Sequence, residues 1–519
     1  MTKTTPFVEF IRYSFFSIMG MIAISCYILA DTFFVAQGIG TNGLAALNLA
    51  IPVYDFIHGT GLMLGMGGAT KFTILKSQNN KKGADQIFTN TVYLGVFFSL
   101  LFMAGGVFFA GRISTILGAN QKIWQMTTTY LKVLMLFSPA FIFNDIILCF
   151  VRNDSNPKLS MIATVSGSLF NVVFDYIFIF PCGMGMLGAV LATGFSPVVG
   201  LIIMSPHWLG KKRWFHMKRL LPDTASIRMN LSLGFPSLLA QISSAIVMIV
   251  FNMIILRLEG NTGVAAYGII ANLSLVVLSF YTGISQGIQP LVSDAYGKLE
   301  QKRIVQFLRY AMGSMLVLSA AIYLILFVFA DPIASAFNSE NNATLHTIAV
   351  TGLRLYFTSL VFAGFNIILS MYFTSVEKAF PAQIISFLRG LILIIPIAFL
   401  FARLWEMTGV WMSFPAAEFV TAVIGAGLYV KYKNRKMGIK RIPRVATLGI
   451  LYTLISNHRQ CPVKIFHLVP SLCKIDFFKQ CSQSGDLFNR KISSRSIPKS
   501  LGYPCIRSPN SWSSLTIYS

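Results

Sequence analysis

The chain has 519 residues, 55% of them hydrophobic and only 12% charged, and its mean hydropathy is +0.67. Soluble domains carry about 25% charged residues, so this composition excludes an ordinary soluble enzyme or binding module and indicates an all-α integral membrane protein. The net charge of +24 would suit a nucleic-acid binder, but the basic residues cluster in short segments between apolar runs, as they do in membrane loops. No nucleic-acid partner is expected.

A membrane-spanning helix needs about 20 mostly apolar residues. Such runs number about twelve, near 14–38, 43–75, 90–111, 125–150, 158–181, 186–205, 229–256, 263–293, 305–330, 346–373, 381–402 and 409–430. The first run is too long for a signal-peptide core and more spans follow it, so no removable signal peptide is expected. Placing the N-terminus inside puts nearly all loop Lys and Arg on the cytoplasmic side, in Lys76–Asp85, Arg152–Lys158, His207–Arg228, Lys298–Arg303 and Lys431–Arg441. The external loops are short or carry only acids. The positive-inside rule thus predicts that both termini are cytoplasmic.

The longest basic loop falls in the middle, after six spans and before six more. The expected organisation is a first transmembrane unit over 1–205, a basic cytoplasmic loop over 206–228 held at an anionic leaflet, a second unit over 229–441, and a tail over 442–519. The two units repeat. Gly40-Thr41-Asn42-Gly43-Leu44-Ala45-Ala46 returns as Gly260-Asn261-Thr262-Gly263-Val264-Ala265-Ala266, and at the same offset Gly67 meets Gly287. Each unit has an even number of spans, so the repeat is parallel, an arrangement secondary transporters use around a central site. From about Ile442 the pattern gives way to Ser, Pro, Cys and Lys/Arg. That tail reads as disordered cytoplasmic sequence or as an altered reading frame.

Carboxylates inside spans are costly and therefore point to a site. Asp31 lies seven residues from the predicted outer end of span one, Asp175 six from the outer end of span five, and Thr193 about seven into span six. At 1.5 Å per residue all three sit roughly 10 Å below the outer boundary. Asn171 is one helical turn from Asp175 on the same face. Paired carboxylates favour holding a proton between them, so this set predicts a proton or cation site. Asp55 and His58, an i, i+3 pair after Pro52 in span two, form a second candidate, either a proton relay or a polar pair that bends and hydrates the helix. Arg389 and Glu418 in spans eleven and twelve are expected to pair with each other rather than with substrate. Glycines 61, 65, 67 and 68 have no following Lys-Ser/Thr and read as close helix packing. No Walker A, HExxH, GxSxG or metal-ligand spacing appears, so neither an ATP-driven pump nor an enzyme is expected, and no cofactor. The cysteines show no disulfide framework.

Several motifs together resemble the multidrug and toxic compound extrusion (MATE) family, in particular its MepA-like branch. They are Ala30-Asp31-Thr32-Phe33-Phe34-Val35, Gly43-Leu44-Ala45-Ala46, Arg152-Asn153-Asp154 with Pro157-Lys158, Asn171-x-x-x-Asp175, and Gly185-x-x-Gly188-Ala189-x-x-Ala192-Thr193. The resemblance covers roughly residues 9–441. It implies two six-helix lobes in a V, export of small cationic or amphiphilic drugs by exchange with H⁺ or Na⁺, and coupling-ion binding by Asp31, Asn171, Asp175 and Thr193. A monomer in the cell membrane is expected. Span seven carries Gln241, Ser243, Ser244 and Asn252 but no carboxylate, which argues against a second-lobe sodium site. The rival reading within the same superfamily, a lipid-linked oligosaccharide flippase, would need cationic side chains lining the cavity.

Overall fold

A computed structural model describes residues 5–210, 213–338 and 342–434; the predicted tail over 442–519 lies outside them. In chain order the helices are α1 Pro6–Gly38, α2 Thr41–Ser77, α3 Lys81–Ile116, α4 Trp124–Leu136, α5 Ser138–Asn153, α6 Pro157–Ile179, α7 Gly185–Trp208, α8 Thr224–Gly297, α9 Gln301–Val328, α10 Ala330–Ala336, α11 Ala343–Tyr356, α12 Leu360–Ser375, α13 Ala379–Phe387 and α14 Ile394–Asn434. No strand occurs among the described residues.

Eight of these segments are long and apolar enough to cross a membrane, and α4 with α5, bent by 47°, makes a ninth. The bend falls where Pro139 enters α5 at its first turn, where its missing N–H costs no helical hydrogen bond. Two of the eight segments are double. The path of α8 breaks at Gly260, with φ 61°, and that of the eleventh and twelfth spans at Trp405 and Glu406. The remaining helix, α2, has 37 residues, and its glycines, Asp55 and His58 leave it less apolar. With α2 and both halves of the double segments counted, the described residues offer twelve helical segments at the positions of the predicted apolar runs.

The internal repeat is visible in the backbone. Gly40 (φ 83°) and Gly260 (φ 61°) open the repeated motif and turn the same corner between spans, in a conformation that L side chains rarely adopt. The hydrophobic core is correspondingly double, one cluster running from Val35 to Phe215 and another from Phe251 to Ala417. Each cluster borrows from the other half: Phe10 of α1 packs in the second core and Leu238 of α8 in the first.

The lobes meet most closely at the end of the bundle where α1 begins, here called the N side. Gly67 backs onto the Asn230 carbonyl, Gly234 onto the Met63 carbonyl, and Gly287 and Gly283 onto the backbone at Ser14 and Ile18. A Cβ at any of these positions has no room, so glycine sets the helix separation. Toward the opposite side the glycines touch only their own lobe: Gly38 lies against Ile179, Gly43 against Ile39, and Gly263 against Ile255. The two lobes are zipped together at the N side and part toward the other, giving a V with its cleft facing away from the chain's start.

Part of the basic loop packs against the first lobe. Phe215 is fully buried among Phe72, Phe88 and Phe150, and the backbone N–H groups of Trp214, His216 and Lys218 donate to Asp154, Asp85 and Thr89. This part of the loop is thus docked on the first lobe, while Lys218, Arg219 and Arg228, with Met217, Leu220 and Leu221, remain exposed.

Candidate functional site

The four residues predicted from depth converge. Asp31 on α1, Asn171 and Asp175 on α6, and Thr193 on α7 are all buried, Asn171 and Asp175 completely. The Asp31 and Asp175 carboxyls reach each other side chain to side chain. In the amide orientation that satisfies both ends, Asn171 Nδ2 donates to Asp175 Oδ2 at 3.1 Å and its Oδ1 accepts from the Thr193 N–H at 3.3 Å. The Thr193 hydroxyl donates to the Ala189 carbonyl at 3.0 Å. One oxygen of each carboxyl, Asp31 Oδ1 and Asp175 Oδ1, is buried without a hydrogen-bond partner. Two carboxyl oxygens at such range repel unless a proton or a small cation lies between them, so the arrangement is chemically suited to take one up.

A fifth residue, missed in the sequence, belongs to this cluster. Tyr130 on α4 is buried, hydrogen-bonds Thr193 and lies close enough to Asp31 and Asp175 to feel their charge. Nothing in the sequence marks one tyrosine among 18.

The second candidate is arranged differently from the prediction. His58 makes its close contact with Asp145 on α5, Nδ1 to Oδ2 at 2.9 Å, while Asp55 acts on it only at longer range. Tyr54 stacks over the imidazole with ring centroids 5.8 Å apart, and its hydroxyl meets that of Tyr27 at 2.6 Å. Tyr27 is one turn from Asp31 on α1, so the tyrosine pair stands between the two clusters. Asp145 was overlooked, although a carboxylate inside the run 125–150 meets the same criterion that singled out Asp31.

In the second lobe Arg389 donates from Nη2 and Nε to Glu418 Oε1 at 2.7 and 3.0 Å, and Asn366 donates to Oε2 at 2.6 Å. These charges are therefore mutually satisfied. Arg389 sits on a single π-helical turn, Leu388–Ile392, with Gly390 pressed against Ser243.

A polar seam crosses the lobes on the N side. The buried Arg152 donates from Nη1 to Gln286 Oε1 at 2.6 Å and from Nη2 to the sulfurs of Met66 and Cys149, with no carboxylate partner among the described residues. Asn153 donates to Gln289, which donates to Thr70. Two ion pairs flank the seam, Lys71 with Glu377 and Arg303 with Glu9. Below it Asp154 gathers Lys76, His207 and the Trp214 N–H. Burial pushes the Asp154 carboxyl up, but these donors together outweigh it and hold it below the ordinary carboxylate range. Among the described residues no group of three or more His, Cys, Asp or Glu side chains converges on a metal position.

Residues 17–177 and 236–400 match the MatE family model, one stretch in each lobe. The chain belongs to the MatE family. MatE proteins are membrane transporters rather than enzymes, and this chain is a multi-pass member. Among curated relatives, the multidrug export protein MepA of Staphylococcus saprophyticus is 25% identical over 83% of this chain and 95% of its own length. MepA of Staphylococcus aureus (strain MRSA252) is 24% identical over the same shares. The MatE fold is shared with a MATE crystal structure in complex with MaL6, at TM-score 0.79 and 23% identity over 84% of this chain and 98% of that one. It is also shared with a Pyrococcus furiosus transporter of the MOP superfamily described as having a binding pocket of reverse polarity, at TM-score 0.76 and 23% identity over 82% and 95%.

Proposed function

We propose that this MatE protein is a multidrug exporter, moving small cationic or amphiphilic compounds out of the cell in exchange for H⁺ or Na⁺ taken up between Asp31 and Asp175. The facing carboxyls, each with an orphaned buried oxygen, carry the reading, and the names of its MepA relatives support it. Positive-inside placement makes the N side cytoplasmic. The zipped N side then corresponds to an outward-open state in the plasma membrane, with both termini inside and the chain working as a monomer.

In this scheme ion uptake from outside neutralises the carboxyl pair and rearranges the first lobe, releasing substrate outward. The inward-open state then gives up the ion and loads a new substrate between the lobes. For a neutral amphiphile exchanged for one ion, the net elementary charge crossing 100 mV supplies about 2.3 kcal/mol, roughly a fifty-fold concentration ratio; a monovalent cation exchanged one for one moves no net charge and is driven by the ion's concentration gradient alone. The flippase alternative is weakened: Arg389 is already neutralised by Glu418, and Arg152 is closed inside the seam. No cofactor or nucleic acid enters the proposal.

The test is efflux of a fluorescent cation from cells carrying Asp31→Asn or Asp175→Asn, with proteoliposomes bearing separate pH and sodium gradients. Loss of at least about tenfold in rate is expected for each variant. Wild-type transport in both would sink the coupling assignment.

A further inference from the structure

The His58–Asp145 pair has no part in the coupling scheme, yet it stands on the wall of the cleft. On α2, Asp55 and Gly59 share a face one turn apart, and Gly59 touches Leu238 and Gln241 of the other lobe. Asp55 therefore sits one turn beyond a point where the lobes meet, on the side toward which they part. His58 lies beside it, with its side chain 16% exposed, and Asp145 lies behind with 7%.

The pair stands by itself. His58 Nδ1 approaches the buried Asp145 Oδ2 to 2.9 Å, and that oxygen has no other hydrogen-bond partner among the described residues. Gly61 presses against the same carboxyl, so α2 gives it no other cover. The charged groups acting on His58 are Asp145 and Asp55. Tyr54 stacks on its face, Tyr27 bonds Tyr54 from α1, and the second lobe presents Leu238 and Gln241 against the adjacent Gly59. Two acids and one titratable base thus share a largely buried, aromatic-walled spot. A buried carboxylate needs a positive partner, and the partner here is a side chain that can lose its charge and swing away.

We propose that Asp145, assisted by Asp55, anchors the positive centre of an organic cation, and that protonated His58 is a tethered competitor occupying that place when substrate is absent. This rests on the exporter reading and adds a substrate anchor to it. Cation and imidazolium exclude each other at one carboxylate, with the Tyr54 and Tyr27 rings available to the cation's apolar body. Loading substrate releases the His58 proton, and protonating His58 helps to expel substrate, so the spot itself exchanges one positive charge for another.

The experiment measures binding of tetraphenylphosphonium, a permanently charged probe, to the purified full-length protein by calorimetry at about pH 6 and about pH 8. Efflux of the same cation is followed in cells. In wild type the affinity should weaken as His58 charges. His58→Gln should keep the tighter affinity at both pH values, whereas His58→Lys, whose charge stays on, should bind about tenfold more weakly at both. Asp145→Asn should also weaken binding at both. Gel filtration checks that each variant is folded, and the opposed effects of Gln and Lys at one position are not produced by misfolding. Equal affinities for His58→Gln and His58→Lys, or unchanged affinity for Asp145→Asn, overturn the tether while wild-type efflux leaves the exporter reading standing. Absence of both binding and efflux in wild type overturns both.

Discussion

Arg152 offers the sharpest test of how the lobes exchange states. The residue is 3% exposed, and its guanidinium bridges the two halves on the N side, with one amide oxygen and two sulfurs as partners. Its Nε is buried and unbonded. Burying an ion costs several kcal/mol even after relaxation, and a hydrogen bond from a charged donor returns about 1.5–3 kcal/mol. Sulfur is a weak acceptor and returns less. The zipped state therefore carries an excess that is relieved when the lobes part and water reaches the guanidinium.

Replacing the bridge by an apolar pair, Arg152→Met with Gln286→Leu, removes the charge without stranding the amide. Apolar replacement of a buried ionic group stabilises by about 1–4 kcal/mol, which biases the lobes toward the zipped state by about five-fold to a thousand-fold. Spin labels at the exposed positions 78 and 302, one in each lobe, in a background that keeps the buried Cys149 and lacks the other native cysteines, should report a larger short-distance population. Efflux should slow in the same variant. A longer mean distance, or unchanged distances with wild-type efflux, would refute the reasoning.

Two further outcomes follow from ionised groups elsewhere. The Asp154 carboxyl is held below its ordinary range by His207, Lys76 and the Trp214 N–H. Its contribution to holding the docked loop is therefore present above the ordinary carboxylate pKa and lost only as pH falls through the lowered value. Tryptic cleavage at the exposed Lys218 and Arg219 should stay slow in wild type at neutral pH and quicken by about tenfold in Asp154→Asn, for a loss of about 1.4 kcal/mol; equal rates would remove Asp154 as the anchor. In the second lobe, Glu418→Gln strands Arg389 and should destabilise by about 3–5 kcal/mol, whereas Arg389→Met with Glu418→Leu should recover most of it. Thermal unfolding of the purified variants checks this, and a double variant no more stable than the single one would assign the pair more than mutual neutralisation.

The spans were legible because apolar length is a local property and Gly260 and its repeat partner mark corners in the chain itself. The Asp31, Asp175 and Thr193 cluster could be read because helical rise converts residue count into depth, and only three helices had to be brought together. What escaped reading was lateral. Depth puts Tyr130 on no particular face, and Asp145 was outshone by Asp55, which is nearer His58 in sequence but not in its contacts. Arg152 reads as the first residue of a basic loop, and only packing against Gln286, 134 residues later, turns it into a bridge. The inter-lobe loop was read by its charges, when the adjacent Trp214 and Phe215 were the cue that part of it would bury.

The glycine contacts on the N side are reciprocal. Gly67 in the second span touches the beginning of the seventh, and Gly287, its counterpart in the eighth, touches the beginning of the first. Contact of i with j and of j with i is the signature of an isologous two-fold interface. The two halves thus meet as the copies of a homodimer would, within one chain and linked by the loop at 206–228. Each half core already holds a residue from its sister, Phe10 in one and Leu238 in the other. A ribosome that has made only the first half has made an interface without its mate, and the seam closes only when the second half has been translated.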